Sequence, residues 1–257
     1  MIYQNYPHGF APINSLNLTK TNYILFHSSK QTPTSFNVSI NSLPIAMVPE
    51  ACILGVIIDQ DLTFKSHILQ MQKKLSSSLF IFAKITYRIP LTIAWSLYHS
   101  LFKSHLIYCI LIWGNSCRSY LHPINILHNK FLKTLLFLAL RTPTSQVYSQ
   151  ASVLSLTLLY YYFSALFICK SINYPQLIPC TLSSMFTPLT ATHSHLTRAS
   201  NALNLFSHSC STTGRQNHIS TQGALIWSTI PNDTKTNHAI NLFKTALRAH
   251  LKKQILH

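Results

Sequence analysis

The stretch that decides the fold is residues 51–68, ACILGVIIDQDLTFKSHI. Its first half, residues 52–58, is apolar, rich in β-branched side chains and interrupted by one glycine, which predicts a buried strand. Asp59 and Asp61 follow, and a helical pattern begins directly after them. Short apolar runs precede this junction, whereas helical periodicity dominates the chain after it. The sequence therefore predicts an α+β fold, mostly α, in which a small antiparallel sheet leads into a helical bundle.

Short apolar segments typical of strands occupy the N-terminal quarter of the chain, at residues 15–26, 36–40, 44–48 and 52–58. Asn41-Ser42 between the second and third segments has the composition of a hairpin turn. After the junction, apolar residues recur every three or four positions and predict one face of a helix about six turns long. That face comprises Phe64, Ile68, Met71, Leu75, Leu79, Phe82 and Ile85. Thr63 is a suitable N-cap, and Pro90 ends the helix.

Two further helices are predicted next. One runs from Leu91 to about Trp113, where Gly114 ends it, and the other starts at His122-Pro123. A long connector, residues 174–222, is rich in Pro, Ser, Thr, Asn and His and is expected to be mostly irregular. A final amphipathic helix covers residues 240–255.

Residues 153–169 form an uncharged stretch that requires a choice between a core helix and a membrane segment. Seventeen residues fall short of the roughly twenty needed to span a bilayer, and the stretch contains three adjacent tyrosines and two serines. The composition therefore favours a buried helix, and we do not expect a membrane partner.

The charge balance is strongly positive. Twenty Lys and Arg face four acids, which gives a formal net charge of +16. Such an excess favours a polyanionic partner, either nucleic acid or an anionic membrane surface. Basic side chains along the first long helix could contact phosphates without reading sequence, and they are Lys65, Lys73, Lys74, Lys84 and Arg88. The alternative is an ordinary solvated helix face, although such a face usually mixes both signs of charge.

Metal-assisted nucleotidyl transfer needs clustered carboxylates that hold divalent cations. Asp59 and Asp61 would share one side of an extended strand, and Glu50 would lie nearby if its strand pairs with theirs. Alternatively, these acids end a strand and favour the N-terminus of the following helix. Asp233 is the fourth acid and stands alone. We therefore expect no catalytic residue, no metal ligand set and no cofactor in this chain.

Six cysteines show no CxxC pair or disulfide framework, and the first thirty residues lack a secretory signal. We therefore expect an intracellular protein of the nucleus or cytoplasm that is not secreted.

The order of the motifs resembles the C-terminal part of the reverse transcriptase of non-LTR (LINE-type) retrotransposons. Residues 15–26, SLNLTKTNYILF, resemble the palm motif that follows the catalytic one. Residues 54–59, LGVIID, together with Leu62, Phe64, His67 and Ile68, resemble the element in which the primer-grip strand leads into the thumb. Matching downstream residues occur in the family's order, namely Tyr98, Leu101-Phe102, Leu106-Ile107-Tyr108, Trp113-Gly114, His193, Thr197-Arg198, Gly214, Gly223, Trp227, Pro231, Phe243-Lys244 and Leu247.

The resemblance implies three regions: a palm remnant with a primer-grip-like strand at residues 1–61, a helical thumb-like region at residues 62–140, and a C-terminal helical region with the irregular connector at residues 141–257. It implies that Leu54 and Gly55 support the primer end. It places Lys20 near the incoming triphosphate, and it turns Lys65, Lys73 and Lys74 toward the template–primer duplex. The family uses a divalent metal held by aspartates in motifs upstream of Lys20, which this sequence does not contain.

We therefore expect a truncated C-terminal portion of an RNA-directed DNA polymerase, inactive alone as a nucleotidyltransferase but still able to bind an RNA or DNA template–primer. Two alternatives stay open. One is a small membrane-associated or interaction protein built on residues 153–169 and the basic C-terminal helix. The other is a decayed open reading frame without function.

Overall fold

The computed structural model of the chain describes residues 20–27, 37–40, 42–192, 203–207, 217–237 and 239–254. The chain divides into two compact units, Met1–His67 and Ile68–His257. In the described part, all strands lie in the first unit and almost all helical residues lie in the second. The predicted class, α+β and mostly α, is therefore confirmed, whereas the predicted division into three regions stays a prediction.

Six short strands of the first unit form three separate two-stranded sheets. The strands are β1 (Asn22–Tyr23), β2 (Ser39–Ile40), β3 (Leu43–Pro44), β4 (Ala46–Met47), β5 (Glu50–Ile53) and β6 (Val56–Asp59). β1 pairs with β4 in parallel, whereas β2 with β3 and β5 with β6 are antiparallel. The three short ladders replace the single antiparallel sheet that the sequence predicted.

Residues 52–58, predicted as one buried strand, contain a hairpin turn instead. Ile53 pairs with Val56 across a two-residue loop of Leu54 and Gly55. Both loop residues have positive φ, 49° and 82°, as a type I′ turn requires. The glycine in the apolar run is therefore the residue that lets the chain reverse direction. The hairpin predicted at Asn41-Ser42 is present between β2 and β3, with Ser42 at φ 64°, while Asn41 lies outside the described residues.

Twelve α-helices follow in the described part of the chain. They are α1 (Lys65–Ile85), α2 (Leu91–Leu97), α3 (Ser104–Ile107), α4 (Ile110–Trp113), α5 (Arg118–Leu135), α6 (Thr144–Ala151), α7 (Leu156–Asn173), α8 (Cys180–Ser183), α9 (Leu189–Thr192), α10 (Ile219–Ser228), α11 (Asn232–Lys235) and α12 (Ile240–Lys253). A π-helical segment, Tyr98–Lys103, joins α2 to α3. Short 3₁₀ turns occur at Thr86–Arg88 and Pro175–Leu177.

The periodicity of α1 predicts its buried side well. Its buried stripe consists of Ile68, Met71, Leu75 and Phe82. Phe64, Leu79 and Ile85, which the same pattern assigned to this face, are half-buried. Thr63, the predicted N-cap, lies two residues before the helix and accepts a hydrogen bond from the backbone N–H of Lys65 at 3.4 Å.

The next two predicted helices differ from the structure. The expected helix from Leu91 to Trp113 is interrupted at Cys109, whose φ of 50° is left-handed and cannot continue a helix. The helix expected to start at His122-Pro123 begins at Arg118 instead and continues through Pro123. It continues because full burial of residues on the same helix, such as Phe131, outweighs the one hydrogen bond that proline removes.

The centre of the second unit is α7, which covers most of the uncharged stretch predicted to be a buried helix. Ten of its 18 residues are buried, and it contacts α4, α10 and α12. Among the described residues, no single helix has the length and hydropathy to cross a membrane, and α6 and α7 meet that criterion only together, bent by 50°.

Two glycines allow neighbouring helices to approach α7 closely. A Cβ atom at Gly223 in α10 would lie 3.0 Å from the Ile168 side chain of α7 and 3.0 Å from the ring of Phe186. A Cβ atom at Gly114, directly after α4, would lie 2.9 Å from the ring of Tyr160 in α7. The distance at Gly114 is shorter than real Cβ atoms show, so that contact requires glycine. The distances at Gly223 are tight, and a Cβ atom there would require Ile168 and Phe186 to move by a few tenths of an ångström.

The predicted connector is partly anchored where the structure describes it. Leu205 forms a β-bridge with Pro188, and the indole N–H of Trp227 donates to the carbonyl oxygen of Leu203 at 2.9 Å. The ammonium group of Lys235 donates to the Asn204 side chain at 2.9 Å. Residues 203–206 are thereby tied to α10 and α11.

Candidate nucleic-acid interface

The β5–β6 turn carries the two residues predicted to resemble a primer grip. Leu54 is 85% exposed, which is unusual for a leucine, and Gly55 beside it is also exposed. The ladder below them holds the turn in place through the pairs Ile53–Val56 and Cys52–Ile57. An apolar side chain is therefore presented at the tip of a short hairpin, although its role at a primer end stays a prediction.

Asp59 fixes the junction between β6 and α1. Its Oδ2 atom accepts hydrogen bonds from the Thr63 backbone N–H at 2.9 Å and from the Thr63 hydroxyl at 2.8 Å. Its Oδ1 atom accepts from the Phe64 backbone N–H at 2.7 Å. Partial burial alone would raise the pKa of the Asp59 carboxyl. The hydrogen bonds lower the pKa by more than burial raises it, so the pKa lies below its usual value. Asp59 therefore holds the two residues that directly precede α1.

The carboxylates of the junction do not gather into a cluster in the structure. Glu50 lies opposite Asp59 in the β5–β6 register, as expected if their strands pair, while Asp61 is exposed in the following turn. In the part of the chain that the structure describes, no group of three His, Cys, Asp or Glu residues is placed to hold a metal ion. Both carboxylate oxygens of Asp59 accept hydrogen bonds from Thr63 and Phe64, so Asp59 stabilises the local backbone at this junction.

Four predicted cations extend along the exposed side of α1 and the turn after it. Lys73, Lys74, Lys84 and Arg88 are all exposed. At about 100° per residue, Lys73 and Lys84 lie about three turns apart and nearly in line, facing away from the buried stripe. The ammonium group of Lys84 lies 4.2 Å from the ring centroid of Phe80, which is 63% exposed. This cationic side combines positive charge with an accessible aromatic ring, as surfaces that bind nucleic acid do.

Lys20 and Lys65 belong to the first unit. Lys20 is exposed and lies in a different segment from Leu54 and Gly55, and Lys65 is exposed at the first residue of α1. The structure thus brings Leu54 and Gly55 together at one turn, and Lys73 and Lys84 together on one side of a helix.

A buried polar cluster in the second unit was not anticipated. His128 is completely buried, and its Nε2 and Nδ1 atoms form hydrogen bonds with the hydroxyls of Tyr98 at 2.8 Å and Tyr148 at 3.2 Å. Burial, followed by the positive charge of Lys103, lowers the pKa of His128 to about 3. A signal existed in the sequence, because His128 falls four residues after the buried Ile124 and therefore on the apolar side of its helix.

Comparison with known proteins gives a limited similarity. No protein-family model matches the chain, and no solved structure matches it. A curated relative from Drosophila melanogaster, described as a probable RNA-directed DNA polymerase from transposon X-element, is 24% identical over 123 residues. The match covers 47% of this chain and 13% of that protein's length. The chain is therefore similar, distantly and over about half its length, to a transposon polymerase.

The buried histidine predicts a specific pH dependence of stability. His128 has a pKa of about 3 in the folded chain, whereas an unfolded histidine has a pKa of about 6.5. Between these values only the unfolded chain binds a proton at this position, so the free energy of unfolding falls as the pH falls. The loss contributed by His128 is up to about 1.4 kcal/mol per pH unit. Denaturant unfolding of the parent and of H128Q, followed between about pH 6 and about pH 4, measures it.

Glutamine at position 128 can still hydrogen-bond both tyrosines but does not titrate, so H128Q should show a smaller pH slope than the parent. H105Q, which removes an exposed imidazole, is the matched control. Equal slopes for the parent and H128Q would mean that His128 is not held neutral in the folded chain.

Proposed function

We propose that this chain is the portion of a retrotransposon RNA-directed DNA polymerase that lies downstream of the catalytic motifs, and that it binds nucleic acid without performing nucleotidyl transfer itself. The observation that carries this proposal is the cationic side of α1, Lys73, Lys74, Lys84 and Arg88, in a chain that resembles a transposon polymerase. In this proposal the partner is an RNA or DNA template–primer.

Phosphate binding is supported by the absence of competing acids. No carboxylate occurs in the sequence between Asp61 and Asp233, so every cation of the cationic side lacks an acidic neighbour along the chain. A solvated helix face normally carries both signs of charge, which weakens its attraction for a polyanion. Lys73 and Lys84 therefore provide an attraction for phosphates that depends on salt and not on base sequence.

The tip of the β5–β6 hairpin supports a contact with the end of the primer strand. Leu54 presents an apolar side chain to solvent on a two-residue turn between paired strands. Such a tip can contact the sugar or base at the end of a strand, whereas a lysine such as Lys20 would contact a phosphate. These roles for Leu54, Gly55 and Lys20 follow from the family resemblance and are proposed on that basis.

The lack of catalysis is supported by how the acids are used. Two-metal nucleotidyl transfer requires carboxylates that converge on the same pair of cations. Asp59 accepts hydrogen bonds from Thr63 and Phe64, and Asp233 lies far along the chain in α11. In the described residues, Glu50, Asp59 and Asp61 do not form a group of three that could hold a metal ion.

Binding to an RNA–DNA hybrid should weaken steeply with salt. With about four phosphate contacts, the affinity should fall by on the order of 100-fold between 50 mM and 200 mM salt. In the double variant K73Q/K84Q, the slope of log affinity against log salt should be shallower by about 0.9 for each lysine removed. Fluorescence anisotropy of a labelled hybrid gives both quantities.

The matched control is K130Q/K170Q, which removes two exposed lysines from α5 and α7 and therefore has the same net charge as K73Q/K84Q. It should keep the parental slope. If the salt slope becomes shallower by the same amount in both double variants, the net charge of the chain accounts for binding of the hybrid. The cationic side of α1 would then have no specific role.

Primer extension tests the catalytic half of the proposal. The full chain, incubated with a template–primer, deoxynucleotides and Mg²⁺ or Mn²⁺, should incorporate no nucleotide because it lacks a converging carboxylate set. An active reverse transcriptase assayed in parallel shows that the conditions support synthesis. Incorporation that rises with the concentration of this chain would contradict the proposal.

A further inference from the structure

A cavity of about 460 Å³ opens within the second unit. Its walls come from α2 and the π-helical segment, the bend between α6 and α7, α7 itself, and α12. Sites for small molecules usually measure about 300–1,000 Å³, so this volume suits a ligand of roughly nucleotide size. The residues that build it come from three separate parts of the sequence, 95–107, 151–163 and 248–252.

The cavity is cationic. Three cations line it, namely Lys103, Arg248 and Lys252, together with His99, whose pKa is lowered by burial and by the charge of Lys103. Lys103 is half-buried, and its pKa is lowered first by burial and then by the positive charge of Arg248, so these two cations repel each other. None of the four carboxylates of the chain, all within the described residues, lines the cavity. An anion bound between Lys103 and Arg248 would relieve this repulsion.

Aromatic rings lie beside these cations. The guanidinium carbon of Arg248 is 5.4 Å from the ring centroid of Tyr162, which orients the charge at the cavity wall. Trp95 meets Tyr98 edge-on, with centroids 5.6 Å apart and an interplanar angle of 89°, so its ring plane is held in place. Cations next to a fixed aromatic ring can hold a phosphate while a base stacks.

We propose that this cavity is a nucleotide-binding site in which Lys103 and Arg248 hold the phosphate, Lys252 adds charge at the rim, and Trp95 contacts the base. The ligand is either a free nucleotide or one nucleotide of a single strand, since both present the same phosphate and base. The site stands on the cavity residues alone and goes beyond the proposed function, which concerns the cationic side of α1.

Calorimetric titration of the full chain with three probes tests the site: adenosine monophosphate, a ten-nucleotide single-stranded DNA and inorganic phosphate. Adenosine monophosphate should bind saturably, and more tightly than inorganic phosphate because the base adds stacking. If the site serves a strand, the oligonucleotide should bind more tightly than the mononucleotide and compete with it. If the site serves free nucleotides, the mononucleotide should bind at least as tightly as the oligonucleotide.

The variant R248Q/K252Q changes two exposed residues, so the fold should be retained, and a thermal melt checks this. It should weaken mononucleotide binding about tenfold or more, because charge-assisted hydrogen bonds to phosphate are lost. W95L should weaken the mononucleotide but not inorganic phosphate. K130Q/K170Q, with the same net charge as R248Q/K252Q, should bind as the parent does.

Three results would overturn the proposal: no saturable binding of the mononucleotide or the oligonucleotide, equal binding of adenosine monophosphate and inorganic phosphate, or unchanged binding by R248Q/K252Q. The variant K73Q/K84Q separates this site from the cationic side of α1, because it should lose affinity for the hybrid and keep affinity for the mononucleotide. Either proposal can therefore fail without the other.

Discussion

The second unit depends on the burial of α7. This helix is apolar on most sides, and water must be excluded from residues such as Leu159, Ala165 and Ile168 by helices that come from before and after it in the chain. Gly114 and Gly223 permit two of those helices to approach, since a Cβ atom at Gly114 would collide with Tyr160 and one at Gly223 would press on Ile168. The helical arrangement that positions the functional residues of this unit follows from that packing.

The same packing explains where charge collects. α12 covers α7 with a buried side that includes Phe243, Leu247 and Leu251, and basic residues flank that side. Burying that side turns Arg248 and Lys252 toward the π-helical segment that carries Lys103. The chain has only four acidic residues, too few to neutralise its clustered cations. The fold therefore creates positive surfaces that suit polyanions.

Features encoded over short distances could be predicted from the sequence, and features made by distant segments could not. The buried stripe of α1 follows from its period because neighbouring turns share one face. The turn at Leu54 and Gly55 was missed because an apolar run with one glycine suits a strand as well as a hairpin. The cavity left no local signal, since Lys103 and Arg248 belong to different segments and meet only after folding.

The central claim is that nucleic acid lies along the cationic side of α1. Ultraviolet cross-linking of the full chain to an RNA–DNA hybrid, followed by mass spectrometry of the cross-linked peptides, tests it most directly. The account predicts cross-links within residues 73–88, with Phe80 beside Lys84 as a favoured position. Cross-links that avoid residues 73–88 while occurring reproducibly on other helices would contradict it.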